Sequence, residues 1–152
     1  MRNLLHFLQQ LLLTLLLVVL AGLLLAGVYF GWQGHTLYQK AVADHPIAAM
    51  YDSIRSRTDF VSYEAMPKTY VQAVIAVEDR RFASHHGIDP ISIGRALLID
   101  LKTHSLAEGG STLTQQLAKN ELFTQEKRLA RKAAEMFAAL AIEKAYSKQQ
   151  IF

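Results

Sequence analysis

The stretch Gly109-Gly110-Ser111-Thr112-Leu113-Thr114-Gln115-Gln116-Leu117-Ala118-Lys119-Asn120 reads as two glycines running into a capped amphipathic helix. Glycines carry no Cβ, so the backbone here can approach an anion closely and aim free N–H groups at it. The spacing predicts a helix from Thr112 to about Glu121. Thr112, Gln116 and Lys119 fall at i, i+4 and i+7 and form one polar stripe, while Leu113 and Leu117 lie on another face. Taken alone, the segment is either an anion-facing loop or, the plainer reading, an ordinary loop before a helix with one wet side.

The sequence on either side is helical too. Pro67 suits a first helical position, and Val71, Val74, Ile75 and Val77 recur at helix spacing up to Glu78-Asp79. Asp89-Pro90 is an N-cap followed by proline at N1 and opens a helix through about Leu101. Thr124 is placed to cap a long helix running to about Tyr146, with Leu129, Ala133, Met136, Phe137 and Leu140 as its buried stripe. Ser147 could cap one more. Asp59 to Tyr63 alternates apolar and polar residues over too few positions to build a sheet. The fold class is therefore all-α.

The first thirty residues belong to a different environment. Leu11 to Phe30 is almost wholly apolar and uncharged, and about 20 such residues span the hydrocarbon core of a bilayer. A cleaved signal peptide has a shorter apolar centre, about 7–15 residues, with its small-residue site just beyond. Ala41-Val42-Ala43 comes too late for that. We read residues 11–31 as a transmembrane signal anchor. Tyr29 and Trp32 sit at the interfacial belt, and Arg2 places residues 1–10 in the cytoplasm and the remainder outside. Residues 32–58 read as a juxtamembrane connector, helical in part, and 59–152 as the domain proper. With 152 residues and no cysteine, that domain is held by packing and not by disulfides. The net charge of +3 suits an anionic surface or a phosphate-bearing ligand. No basic stripe with interleaved aromatics points to nucleic acid.

Two further segments could carry chemistry. In Glu78-Asp79-Arg80-Arg81-Phe82-Ala83-Ser84-His85-His86-Gly87, two carboxylates end a helix. The negative end of the helix dipole disfavours their ionised form, a useful bias in a general base. The plainer alternative is a surface ion pair of Glu78 or Asp79 with Arg80 or Arg81. Further on, Arg128, Arg131, Lys132 and Glu135 share one helix face, either as intrahelical ion pairs or as a cationic surface for phosphate. Adjacent His85 and His86 make a poor zinc site, and a structural role suits His85 better.

Together these segments closely resemble the first three motifs of the peptidoglycan glycosyltransferases. The matching residues are Glu78-Asp79-x-x-Phe82-x-x-His85-x-Gly87, then Gly109 to Asn120, then Arg131-Lys132-x-x-Glu135. The resemblance implies a lysozyme-like glycosyltransferase lobe beside the membrane, behind one N-terminal transmembrane helix. It implies an inverting enzyme that polymerises lipid II into β-1,4 glycan strands and releases undecaprenyl pyrophosphate. Carried over by motif, Glu78 would be the catalytic base, with Asp79 supporting it. Lys119, Arg131 and Lys132 would hold the donor pyrophosphate, and Ser111 and Gln116 would line the cleft. Glu135 would orient the pyrophosphate region, directly or through a divalent cation (Mg or Mn). The implied partners are lipid II, the lipid-linked growing strand, the membrane and other cell wall synthesis proteins. The family continues past Tyr146 to Phe152 with further motifs, so the lobe is expected to be incomplete, as a fragment or a truncated chain. An inactive lipid II binder and a lysozyme-like lytic glycosidase are the alternatives.

Overall fold

A computed structural model of the chain describes residues 2–103, 109–124 and 129–152. These residues contain seven α-helices and no strand: α1 (Arg2–Asp44), α2 (Ile47–Arg55), α3 (Lys68–Glu78), α4 (Pro90–Thr103), α5 (Leu113–Leu122), α6 (Leu129–Ala145) and α7 (Lys148–Ile151). Two short 3₁₀ turns cover Tyr63–Ala65 and Phe82–Ser84. The all-α reading holds.

Helix α1 is 43 residues long, or about 64 Å at 1.5 Å per residue. It is long and apolar enough to cross a membrane, with a mean hydropathy of 2.9 in its apolar window and none of that window buried against the rest of the chain. Within the stretch read as a partly helical connector, residues 32–44 continue this helix and residues 47–55 form α2. α1 runs on to Asp44 and its last turns pack on α6. The reason lies in Gly34, Tyr38 and Ala41, which fall at i, i+4 and i+7. Gly34 and Ala41 are buried, and Tyr38 stacks on Phe137 with ring centroids 6.2 Å apart.

Several helix starts are fixed by local chemistry. Asp89 accepts from the Ile91 amide through Oδ1 (3.0 Å) and from the Ser92 hydroxyl through Oδ2 (2.7 Å), which starts α4 at Pro90. Thr112 and Gln115 form a reciprocal capping box at the start of α5, as do Ser147 and Gln150 at α7. Pro67 sits one position earlier than expected, as the N-cap of α3.

The core combines alanines at the helix contacts with larger apolar side chains. Ala118 of α5, Ala138 and Ile142 of α6, Phe82, Ala41, Met50, Leu122 and Ile151 form its buried cluster. This corrects the expected stripe on α6. Leu129 and Leu140 are 66% and 45% exposed, whereas Ala134, Ala138, Ala139 and Ile142 are buried. Alanines let α1 and α5 approach α6 closely, so the buried side is set by lack of bulk and not by the largest apolar side chains. Residues 125–128, including Arg128, lie outside the described residues, and α6 is described from Leu129, five positions after Thr124.

Candidate active site

The C-terminal end of α3, the face of α4, the Gly109-Gly110-Ser111 loop, α5 and the first turns of α6 enclose a cleft of about 700 Å³. All eight residues singled out in the sequence line it: Glu78, Asp79, Ser111, Gln116, Lys119, Arg131, Lys132 and Glu135. Three segments separated by tens of residues thus converge on one cavity.

Neighbouring Glu78 and Asp79 have different surroundings. Glu78 is the last residue of α3 and is exposed to the cleft; its Oε2 accepts from Gln116 Nε2 at 3.0 Å. Asp79 leaves the helix with φ −152° and turns inward, where its side chain is 3% exposed. Asp79 Oδ2 accepts from His85 Nε2 (2.8 Å) and from the Leu113 amide (3.0 Å), the first residue of α5. The Gly87 amide donates to His85 Nδ1 (3.1 Å), so the imidazole carries its proton on Nε2 and donates it to Asp79. Asp79 therefore ties the end of α3 to the start of α5. Neither carboxylate makes the surface ion pair considered from the sequence; Arg81 pairs instead with Asp89 at 3.0 Å.

Gly87 completes this corner. Its φ is +93°, and a Cβ there would lie 2.7 Å from the Ala139 carbonyl oxygen. Its own carbonyl accepts from the Thr112 hydroxyl at 2.7 Å. Thr112 is consequently a buried cap and not part of the wet stripe with Gln116 and Lys119.

Electropositive groups gather at the start of α6. Glu135, with 1% of its side chain exposed, accepts from Arg131 through Oε1 and from Lys132 Nζ through Oε2 (3.0 Å). Lys132 Nζ also donates to the Ser111 hydroxyl, which fixes the glycine loop against α6. Glu135 thus holds two cations in place at the cleft wall, leaving a net positive cluster. Both of its oxygens are occupied, and among the described residues no three His, Cys, Asp or Glu side chains gather as a metal site.

Other residues of the cleft were not anticipated. Ser92, Arg95 and Ile99 lie on one face of α4 at i, i+3 and i+7, a pattern readable from the Asp89 cap. Gln115 also lines the cavity, and its buried Nε2 donor has no acceptor among the described residues. Behind the site, Glu143 Oε1 accepts from Thr114 Oγ1 and Lys148 Nζ, both at 2.6 Å, while Lys148 Nζ sits 4.5 Å from the Phe82 ring centre. This group pins α5, α6 and α7 together.

The transglycosylase family model matches residues 44–152. Penicillin-binding protein 1A/1B of Bacillus subtilis is 40% identical over 116 residues, 76% of this chain. Penicillin-binding protein 1A of Vibrio cholerae is 49% identical over 88 residues, 58% of this chain. A monofunctional glycosyltransferase of Staphylococcus epidermidis is 43% identical over 99 residues, 65% of this chain. The chain spans 13%, 11% and 36% of the lengths of these three relatives.

Proposed function

The chain belongs to the transglycosylase family, and from that premise we propose that it contributes the anchored catalytic part of a peptidoglycan glycosyltransferase. Its substrates are lipid II and the lipid-linked growing strand. The 4-hydroxyl of one lipid II attacks the anomeric carbon of the strand's lipid-linked end. The new glycosidic C–O bond forms with inversion as the C–O bond to the diphosphate breaks, and undecaprenyl pyrophosphate leaves. Glu78 takes the hydroxyl proton. Lys119, Arg131 and Lys132 neutralise charge growing on the leaving diphosphate, with Glu135 holding the last two in position.

The observation that carries this reading is the composition of one cleft: an accessible carboxylate beside a fixed cluster of cations. A sugar hydroxyl is a weak nucleophile and needs a base. Diphosphate is a good leaving group and needs charge neutralisation, not a proton. A glycosidase would use two working carboxyls, but Asp79 is committed to His85 and the Leu113 amide. Its part is to position Glu78. The apolar part of α1 sits in the cell membrane, with residues 1–10 cytoplasmic and the cleft on the outer side, where lipid-linked substrates can reach it.

The test is incubation of the purified full-length protein, in lipid vesicles, with lipid II. Polymeric glycan and released undecaprenyl pyrophosphate are expected. Cleavage of finished strands with no polymer made would favour the glycosidase and overturn this reading.

A further inference from the structure

Gly34 is buried against α6 so closely that a Cβ there would lie 2.4 Å from Ala133 Cβ, 2.9 Å from the Ala130 carbonyl oxygen and 2.9 Å from the Ala134 amide nitrogen. Two of these contacts are backbone, so no rotamer change relieves them. The turn of α6 that meets Gly34 is the same turn that carries Arg131 and Lys132, with Glu135 next in line. Above the contact, His35 and Tyr38 pack on Phe137, with ring centroids 5.2 and 6.2 Å apart. The crossing is thus locked on two successive turns.

The height of this crossing follows from the sequence. Gly34 lies four residues beyond Phe30, the last residue of the apolar run, which is about 6 Å along an unbroken helix. The headgroup layer on each side of a bilayer is roughly 5–7 Å thick. We infer that the Gly34 crossing is a fixed spacer that sets the cleft's cations at headgroup depth, where a lipid-linked diphosphate carries its phosphates. Gly34 is a positioning residue: it touches no substrate, and it acts by holding the α6 turn at that height. The choice of substrate rests on the function proposed above, whereas the spacer itself does not.

The full chain contains no cysteine, so spin labels can be attached cleanly at Leu25→Cys in the apolar part of α1 and at Lys68→Cys on the exposed start of α3. In vesicles, the distance distribution between them is expected to be narrow. Gly34→Leu should shift or broaden it, and Gly31→Leu should not, because a side chain at Gly31 meets nothing within 4 Å. Turnover is then compared between a lipid-linked substrate in the same vesicles and a short-prenyl analogue dispersed in detergent. Gly34→Leu should lose roughly a hundredfold on the former, the scale of a small misplacement of reacting groups, and little on the latter. Unchanged distances in Gly34→Leu, or equal losses on both substrates, would overturn the spacer. Should Gly34→Leu fail to fold, Gly34→Ala carries the same comparison, since its methyl already meets Ala133. Failure of the wild type on both substrates would count against the proposed reaction, while the distance measurement would still decide the spacer.

Discussion

Lys132 joins three parts of the cleft at one nitrogen: the Ser111 hydroxyl, the Glu135 carboxylate and the open cavity. Its side chain is 42% exposed, so the pair it forms adds little to folding stability, and Arg131 keeps the buried Glu135 partnered without it. Removing the charge should therefore act on binding. For Lys132→Ala we expect the affinity for the lipid-linked donor to fall roughly 10–100-fold, the loss of one charge-assisted hydrogen bond, with the melting temperature nearly unchanged. Unaltered donor affinity in a titration would remove Lys132 from the phosphate site. At this scale the sequence was informative about residue types and less so about partners. The helix position of Lys132 and Glu135 follows from spacing. The inward turn of Asp79 does not, because its acceptor role depends on the Leu113 amide, 34 residues away.

Helix starts were legible because their chemistry is local. Asp89-Pro90, Thr112 with Gln115, and Ser147 with Gln150 each satisfy backbone donors within three or four residues. The buried side of α6 was not legible in the same way. Ala134, Ala138 and Ala139 are chosen by the distant helices that press against them, and no pattern within α6 marks them above Leu129 or Leu140. The α4 cap also carries a pH signature. Burial pushes the Asp89 carboxyl up, but hydrogen bonds from Ser92 and Ile91 and the nearby Arg81 guanidinium outweigh it and hold the group below its usual 3.8. A carboxylate with a depressed folded-state value stabilises the fold above its unfolded value and loses that contribution as pH falls through the folded one. In thermal melts at neutral pH, Asp89→Asn should be less stable than wild type by about 1–3 kcal/mol. The gap should close as pH drops below about 4. A gap that stays constant with pH would show that the charge of Asp89 contributes nothing.

Across the whole molecule, a membrane-length helix runs without a break from its apolar stretch into the body of the lobe. Its last turns support α6, the helix whose opposite duty is to present cations to the cleft. The sequence marked both ends of this arrangement, the apolar run and the three motifs, and a partly helical connector between them, but not the contact of that connector with α6. Gly34, Tyr38 and Ala41 look unremarkable until α6 is placed beside them. The central claim concerns how the cleft uses Glu78, among the described residues the one carboxylate that is both exposed to it and hydrogen-bonded to Gln116. Glu78→Gln keeps the volume and an acceptor oxygen for Gln116 and removes the negative charge and with it the ability to take a proton. In the complete enzyme, glycan polymerisation from lipid II measured on this variant should fall by about 10²–10⁴-fold, the usual contribution of a general base, while lipid II binding is retained. A variant that keeps more than about a tenth of the wild-type rate would contradict the assignment of Glu78 as the base.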